Sequence, residues 1–198
     1  MKHLLLIVLS ITFISNSIFS QTPENANDIA PLLVGEQIPE INLKTINGAD
    51  ESILSIIHKK PTVILFYRGG WCPYCNTHLA EIQDIETDII DLGYQIIAIS
   101  PDSPKNLMVS DEKIKLNYNL YSDADGKLCN AMGIAFKAPE RHGPRLFESS
   151  EGLNNGFLPV PSIFITDTSG QILFEYINPN YKKRMSGKLL LAVLKNLD

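Results

Sequence analysis

Thr62-Val63-Ile64-Leu65-Phe66-Tyr67-Arg68-Gly69-Gly70-Trp71-Cys72-Pro73-Tyr74-Cys75 is the stretch whose reading decides the fold. Its first six residues are β-branched, aliphatic or aromatic and carry no charge, as a strand buried on both faces of a sheet requires. Beyond the glycines, Leu79, Ile82, Ile85, Ile89 and Leu92 recur at helical spacing until Gly93, so one helix is predicted to follow the cysteines. Cys72 and Cys75 therefore stand where a buried strand hands over to a helix. Free N–H groups and the positive end of the helix dipole favour an anion there, so a thiol at that place is expected to ionise readily. The thiolate is the nucleophilic form. Two intervening residues let both sulfurs share the first helical turn and close a small ring reversibly, so the pair can store and return two electrons.

Working outward, Tyr94 to Ser100 reads as a second buried strand, and Pro101-Asp102-Ser103-Pro104 as a turn and N-cap opening another helix. Gly35 to Lys44 with the turn Asn47-Gly48 predicts a short hairpin near the N-terminus. Leu120-Tyr121 suits a short strand, and Asp125 is the expected cap of a small helix carrying Leu128, Cys129 and Met132 that Gly133 closes. Ala135 to Leu158 is read as an insertion or lid with a short helix near Glu140 to Phe147. Ser162 to Thr166 and Ile172 to Tyr176 form a closing hairpin through Asp167-Thr168-Ser169-Gly170, and a last helix starts near Ser186. This order predicts an α/β fold: a central mixed β-sheet flanked by helices, with an N-terminal β-hairpin extension.

The first residues, Met1-Lys2-His3, precede an apolar run from Leu4 to Ile14 and a polar stretch through Ser20. A basic start, a short apolar core and small polar residues read as a secretory signal over residues 1–20, cleaved near Ser20, for export to a periplasmic or extracellular space. The run falls short of the roughly 20 residues that span a bilayer, so no stable membrane association is expected after cleavage. Residues 21–33, polar and holding Pro23 and Pro31, read as a flexible leader, and 34–198 as one domain. Removing the signal leaves 16 basic and 22 acidic residues, a balance of −6, which argues against a nucleic-acid surface. The cluster Lys182-Lys183-Arg184 is most simply the solvated end of an element. Three cysteines are too few for a disulfide scaffold, so chemistry better explains the pair spaced three apart. Zinc would need four ligands, and there is no second cysteine pair to supply them.

Phe66-Tyr67-Arg68-Gly69-Gly70-Trp71-Cys72-Pro73-Tyr74-Cys75, with Val160-Pro161-Ser162-Ile163-Phe164-Ile165-Thr166-Asp167 later, resembles the peroxiredoxin-like branch of the alkyl hydroperoxide reductase/thiol-specific antioxidant family, within the thioredoxin superfamily. The likeness runs from about Val34 to the C-terminus and includes Ser100-Pro101-Asp102 and Asn178-Pro179-Asn180-Tyr181. It implies a thioredoxin-like fold and reduction of hydrogen peroxide or organic hydroperoxides by a cysteine that passes through a sulfenic acid. A second thiol then condenses with the sulfenic acid, and a thioredoxin-like dithiol protein reduces the resulting disulfide. In ungapped register from Phe66, Cys75 falls on the family's peroxide-attacking cysteine and Cys72 on its usual threonine, where it would resolve the sulfenic acid.

At two positions the chain departs from the family pattern. Arg68 replaces the usual proline after the aromatic pair, and Pro161 replaces the usual arginine before the closing strand. Arg68 or Arg141 is then the candidate source of the missing positive charge. Pro161 instead resembles the cis-proline that thioredoxins set against their cysteine pair. Trp71 and Tyr74 are read as packing and surface-shaping residues beside the thiols. Cys129 is either a small core residue or a second resolving cysteine, and His78 either a solvated helix histidine or a neighbour that acidifies a thiol. No cofactor is expected. Two other functions fit the same residues: a thiol–disulfide oxidoreductase acting on exported proteins with Cys72 attacking, and a binding domain without turnover.

Overall fold

The computed structural model describes residues 22–197. The expected secretory signal, residues 1–20, lies outside them. No helix among the described residues is long and apolar enough to cross a membrane.

Two strands, β1 (Asn42–Thr45) and β2 (Asp50–Ser52), form the N-terminal hairpin, followed by the short helix α1 (Ile53–Ile57). The decisive apolar run becomes β3 (Thr62–Phe66), every residue of it buried. Then come α2 (Pro73–Asp84), α3 (Glu86–Asp91), β4 (Gln95–Ser100), α4 (Pro104–Ile114), β5 (Asn119–Ser122) and α5 (Lys127–Ala131). The chain closes with β6 (Ala135–Lys137), α6 (Gly143–Ser149), β7 (Phe157–Pro159), β8 (Ser162–Thr166), β9 (Ile172–Ile177) and α7 (Gly187–Leu194). Seven strands make one mixed sheet in the order β2-β1-β5-β4-β3-β8-β9. β3, β4 and β5 run parallel, and β8 turns antiparallel against β3 with Ile64 opposite Phe164. The hairpin is no separate appendage, since β1 pairs with β5 and extends the main sheet.

Alternation along β3 divides the core. Val63, Leu65 and Tyr67 face a layer holding Cys72, Cys75, Leu79, Ile82, Ile89, Leu107, Leu190 and Leu194, contributed by α2, α3, α4 and α7. Ile64 and Phe66 face the opposite layer, with Ile53, Ile57, Leu128, Cys129, Met132 and Phe164, contributed largely by α1 and α5. Phe66 meets Phe164 edge-to-face at 5.9 Å, a contact worth about 0.5–1.5 kcal/mol beyond its buried area.

Three expectations change here. The single helix after the cysteines is two helices that meet at Ile85, whose φ of −112° and ψ of 8° are not helical. The apolar spacings of three, three, four and three fall short of about 3.6 residues per turn, so the stripe would wind off the sheet on one straight axis; the break at Ile85 brings Ile89 back to the core. The flexible leader is, from Thr22 onward, pinned along the α5–β6 end: Lys137 N–H donates to the Pro23 carbonyl at 2.7 Å, and Leu32 N–H to the Met132 carbonyl at 3.1 Å. An added Cβ on Gly133 would sit 1.9 Å from the Ala30 carbonyl oxygen, so this close approach requires glycine. The cap of the small helix α5 is not Asp125 alone: the buried Asp123 carboxylate accepts the Leu128 and Cys129 N–H groups at 3.0 and 2.8 Å. Asp125, exposed, accepts the Lys127 N–H at 3.3 Å and also pairs with the Lys127 ammonium.

The segment read as a lid does hold one short helix, α6, with β6 and β7 paired beside it. The Ser149 carbonyl ties it to the start of α4 by accepting the Ser103 N–H at 2.8 Å and the Asn106 Nδ2 at 2.9 Å. Its small apolar cluster of Ala138, Leu146 and Leu158 packs on Trp71, so this segment roofs the approach to the cysteines.

Candidate active site

The turn between β3 and α2 is set by contact with the start of α4. Gly69 has a φ of +131°, and a Cβ there would lie 2.4 Å from Trp71 Nε1 and 2.8 Å from Asp102 Oδ1. A Cβ on Gly70 would lie 1.9 Å from Ser110 Oγ. Asp102, buried at the end of β4, accepts the Gly70 N–H at 2.7 Å, and burial raises its carboxyl to about 6. Asn76 on α2 donates to the Gly70 carbonyl at 2.9 Å, so the turn is clamped from both sides. Cys72 is the N-cap of α2, with extended backbone and no side-chain cap; Pro73 takes the first helical position, where a missing N–H costs nothing. Cys75 is the third residue of that helix.

Both sulfurs are free thiols, Cys72 2% exposed and Cys75 fully buried. Cys72 is pulled down to about 6, first because it accepts the Cys75 S–H and then, against its own burial, by the Cys75 N–H, Arg68 and Arg184. Cys75 is pushed well above the usual thiol range by burial, by giving its S–H to Cys72 and by the Cys72 charge, while Arg184 and the Arg68 backbone N–H pull it down. One proton thus lies between two sulfurs, and the resting negative charge sits on Cys72.

All four arginines of the chain, Arg68, Arg141, Arg145 and Arg184, belong to this end of the molecule, and among the described residues none forms a salt bridge with a carboxylate. Arg68 is 5% exposed; its guanidinium lies 5.0 Å from the Trp71 ring and 4.2 Å from that of Tyr181, and its Nη2 donates to His142 Nε2 at 3.2 Å. That contact requires a neutral His142, whose pKa is indeed lowered, first by burial and then by Arg68. Arg145 approaches the Trp71 ring at 5.6 Å. Tyr74 is exposed and meets Tyr181 edge-to-face at 5.7 Å. Arg184 Nη2 reaches Cys75 Sγ at 3.5 Å.

The structure places Cys72, Cys75, Arg68 and Trp71 together at this turn. Arg141 is exposed and acts on His142 rather than on the sulfurs, so of the two arginine candidates Arg68 is the one at the site. Pro161 is buried at the start of β8, but no peptide bond among the described residues is cis. The chain stays extended from β7 into β8, with Val160 N–H bonded to the Ile134 carbonyl at 2.8 Å, and a trans bond, favoured by about 0.5–1 kcal/mol, suits that path. Cys129 is buried in the core layer on the other side of the sheet from Cys72 and Cys75. His78 is not solvated: it is 8% exposed, its Nε2–H donates to the Met185 carbonyl at 3.0 Å, and burial lowers it to about 4. A neutral histidine brings no positive charge to the thiols. Arg184 is the residue that sequence reasoning missed. Its place in a run of three basic residues pointed to solvent, and the contact spans 109 positions.

Residues 34–174 match the AhpC/TSA family. The chain is 34% identical over 105 residues to "Putative peroxiredoxin bcp" of Haemophilus influenzae, and 27% identical over 104 residues to peroxiredoxin Bcp of Escherichia coli K12. Each match covers 52% of this chain and 66% of the relative, just under two thirds of its length. Among solved structures, peroxidoxin BcpB of Mycobacterium tuberculosis superposes with a TM-score of 0.67 at 19% identity, covering 83% of this chain and 97% of that one. Reduced Prx3 of Vibrio vulnificus in complex with hydrogen peroxide gives 0.72 at 16% identity over the same shares. The fold is that of the thioredoxin-like peroxiredoxins.

Proposed function

Since this chain belongs to the AhpC/TSA family, we propose that it is a thiol-dependent peroxidase, reducing hydrogen peroxide or an organic hydroperoxide through Cys72 and Cys75. The observation that carries the reading is the pair of buried sulfurs at the entrance of α2, Cys72 drawn down and Cys75 pushed up, with the Arg184 guanidinium 3.5 Å from Cys75 Sγ. In the proposed cycle the Cys75 thiolate attacks one peroxide oxygen. An S–O bond forms, the O–O bond breaks, sulfur is oxidised by two electrons, and the departing hydroxide or alkoxide takes up a proton. Cys72 then attacks the sulfenic sulfur, closing the Cys72–Cys75 disulfide and releasing water. A thioredoxin-like dithiol protein supplies the two electrons that reopen it. The motif register supports Cys75 as the attacking sulfur, and its helical neighbour Cys72 lies within S–H bonding reach to resolve it.

The test is mass spectrometry of the reduced protein after one equivalent of peroxide. The proposal expects rapid loss of two hydrogens as a Cys72–Cys75 disulfide, and a stable single-oxygen adduct on Cys75 in the Cys72→Ser variant. Oxidation no faster than that of a free thiol would sink it. The same experiment separates this reading from thiol–disulfide exchange led by Cys72, which needs no fast reaction with peroxide. Export itself is a further proposal, resting on residues 1–20 of the sequence, with 34–198 as the working domain. The N-terminal sequence of the protein recovered from its host tests it, since an intact Met1 would rule out cleavage.

A further inference from the structure

The segment between β9 and α7 passes across the helix that carries the cysteines and is fastened to it just after Arg184. Met185, 1% exposed, offers its carbonyl to His78 Nε2–H at 3.0 Å. Gly187 N–H donates to Glu81 Oε1 at 2.7 Å, and a Cβ on Gly187 would already stand 3.0 Å from Ile85 Cδ1. Ser186 accepts the Leu189 N–H at 3.3 Å and starts α7. His78, Glu81 and Cys75 lie on the one helix, so these contacts hold Arg184 in register with the sulfur, its Nη2 3.5 Å away. Arg184 has no carboxylate partner among the described residues that would hold it elsewhere.

We propose that Arg184 is a catalytic residue of the peroxidase reaction, the guanidinium that lets Cys75 carry the negative charge as it attacks. This rests on the peroxidase reading above. Arg68 and Arg184 both draw charge toward Cys72, but it is the Arg184 guanidinium that lies against the Cys75 sulfur. In the resting pair Cys72 is the thiolate and Cys75 holds the proton in the S–H···S contact. Passage of that proton to Cys72 moves the charge to Cys75, where Arg184 faces it. As the Cys75 sulfur binds one peroxide oxygen and the O–O bond breaks, negative charge flows to the departing oxygen, which is protonated to water or alcohol. A guanidinium does not give up its own proton, so Arg184 stabilises the charge without quenching the thiolate. The family's usual arginine before the closing strand is absent, with Pro161 in its place, and here the cation arrives from the segment that follows β9, whose Asn178 N–H donates to the Pro161 carbonyl at 3.4 Å.

The test uses the full chain in two single-sulfur backgrounds and measures sulfenic acid formation with hydrogen peroxide. With Cys72→Ser, adding Arg184→Met is expected to slow oxidation of Cys75 by roughly 10²-fold, the scale for removing one donor from a developing anion. With Cys75→Ser, the same change is expected to slow oxidation of Cys72 by only about threefold, because Arg184 touches the Cys75 sulfur and Arg68 still bears on Cys72. Arg184→Lys, which keeps the charge and loses the fork, should recover part of the rate, and Lys183→Met, an exposed neighbour, should leave it unchanged. Equal loss at both sulfurs, or Cys75 oxidised at the full rate in Arg184→Met, overturns the assignment of Arg184 while leaving the peroxidase reading standing. If the unsubstituted chain oxidises no faster than a free thiol, both fall together.

Discussion

Cys75 and Cys129 occupy the same place in two helices, each the third residue after the N-cap, each fully buried, yet their surroundings have opposite sign. At α2 no side chain caps the helix; the N-cap is itself a cysteine, its sulfur accepts the Cys75 S–H and N–H, and Arg68 and Arg184 add positive charge. At α5 the Asp123 carboxylate takes the first N–H groups for itself, and the Cys129 S–H faces that same carboxylate. Burial first, and then Asp123, pushes the Cys129 thiol well above the usual range. A helix entrance alone therefore does not activate a thiol. What decides is whether the free N–H groups are left for sulfur or already used by an acid.

The largest effect that separates the two sites is turnover. Cys72→Ser or Cys75→Ser is expected to lower peroxide consumption, with a dithiol reductant present, by roughly 100-fold or more, and Cys129→Ser to change it by less than about twofold. A large loss in Cys129→Ser would break the contrast. Next comes stability. Asp123→Ala strands two buried N–H groups and should lower the unfolding free energy by about 2–3 kcal/mol, read as a fall in the urea midpoint.

Thiol acidity gives a third contrast. Carbamidomethylation of the reduced chain should follow a titration with a midpoint near pH 6 for Cys72, while Cys129 stays unlabelled until denaturant is added. Labelling of Cys129 at the rate of Cys72 in the folded protein would erase the distinction.

The smallest expected effect concerns the proton on Asp123. Burial raises its carboxyl from 3.8 to about 6, so the folded chain holds that proton more tightly than the unfolded one. Its contribution to stability is therefore greatest at acid pH and is lost as the pH rises through about 6. Asp123→Asn keeps an oxygen for the two N–H groups and removes the titration. Its urea midpoint should change less between pH 7 and pH 5 than that of the unsubstituted chain. An unchanged pH dependence would mean that Asp123 is not the titrating group.

Patterns that depend on near neighbours were readable from the residues alone. The charge-free run Thr62 to Tyr67 became the fully buried β3, because a strand covered on both faces tolerates no charge. Asn47-Gly48 and Asp167 to Gly170 turned their hairpins where expected, with Gly48 at a φ of +81° and Gly170 at +88°. Ser103 and Ser186 capped their helices through their own hydroxyls. Some of the readings that changed concern partners distant in the chain. His78 reads as solvated on its own helix, and only the passage of Met185 over it makes it a buried neutral donor. Spacing pointed to Asp125 as the cap of α5, and burial beside the helix start adds Asp123.

The sequence by itself determined that two sulfurs share the first turn of a helix behind a central buried strand, because strand hydrophobicity, glycine breaks and a three-residue spacing act over a few bonds. Tertiary structure alone decided which sulfur is drawn toward its charged form, which arginine lies against which sulfur, and that the third cysteine is buried in the other core layer beside an acid. Those outcomes turn on Coulomb interactions and desolvation over a few ångströms between residues such as Cys75 and Arg184, 109 positions apart, and only folding sets such distances.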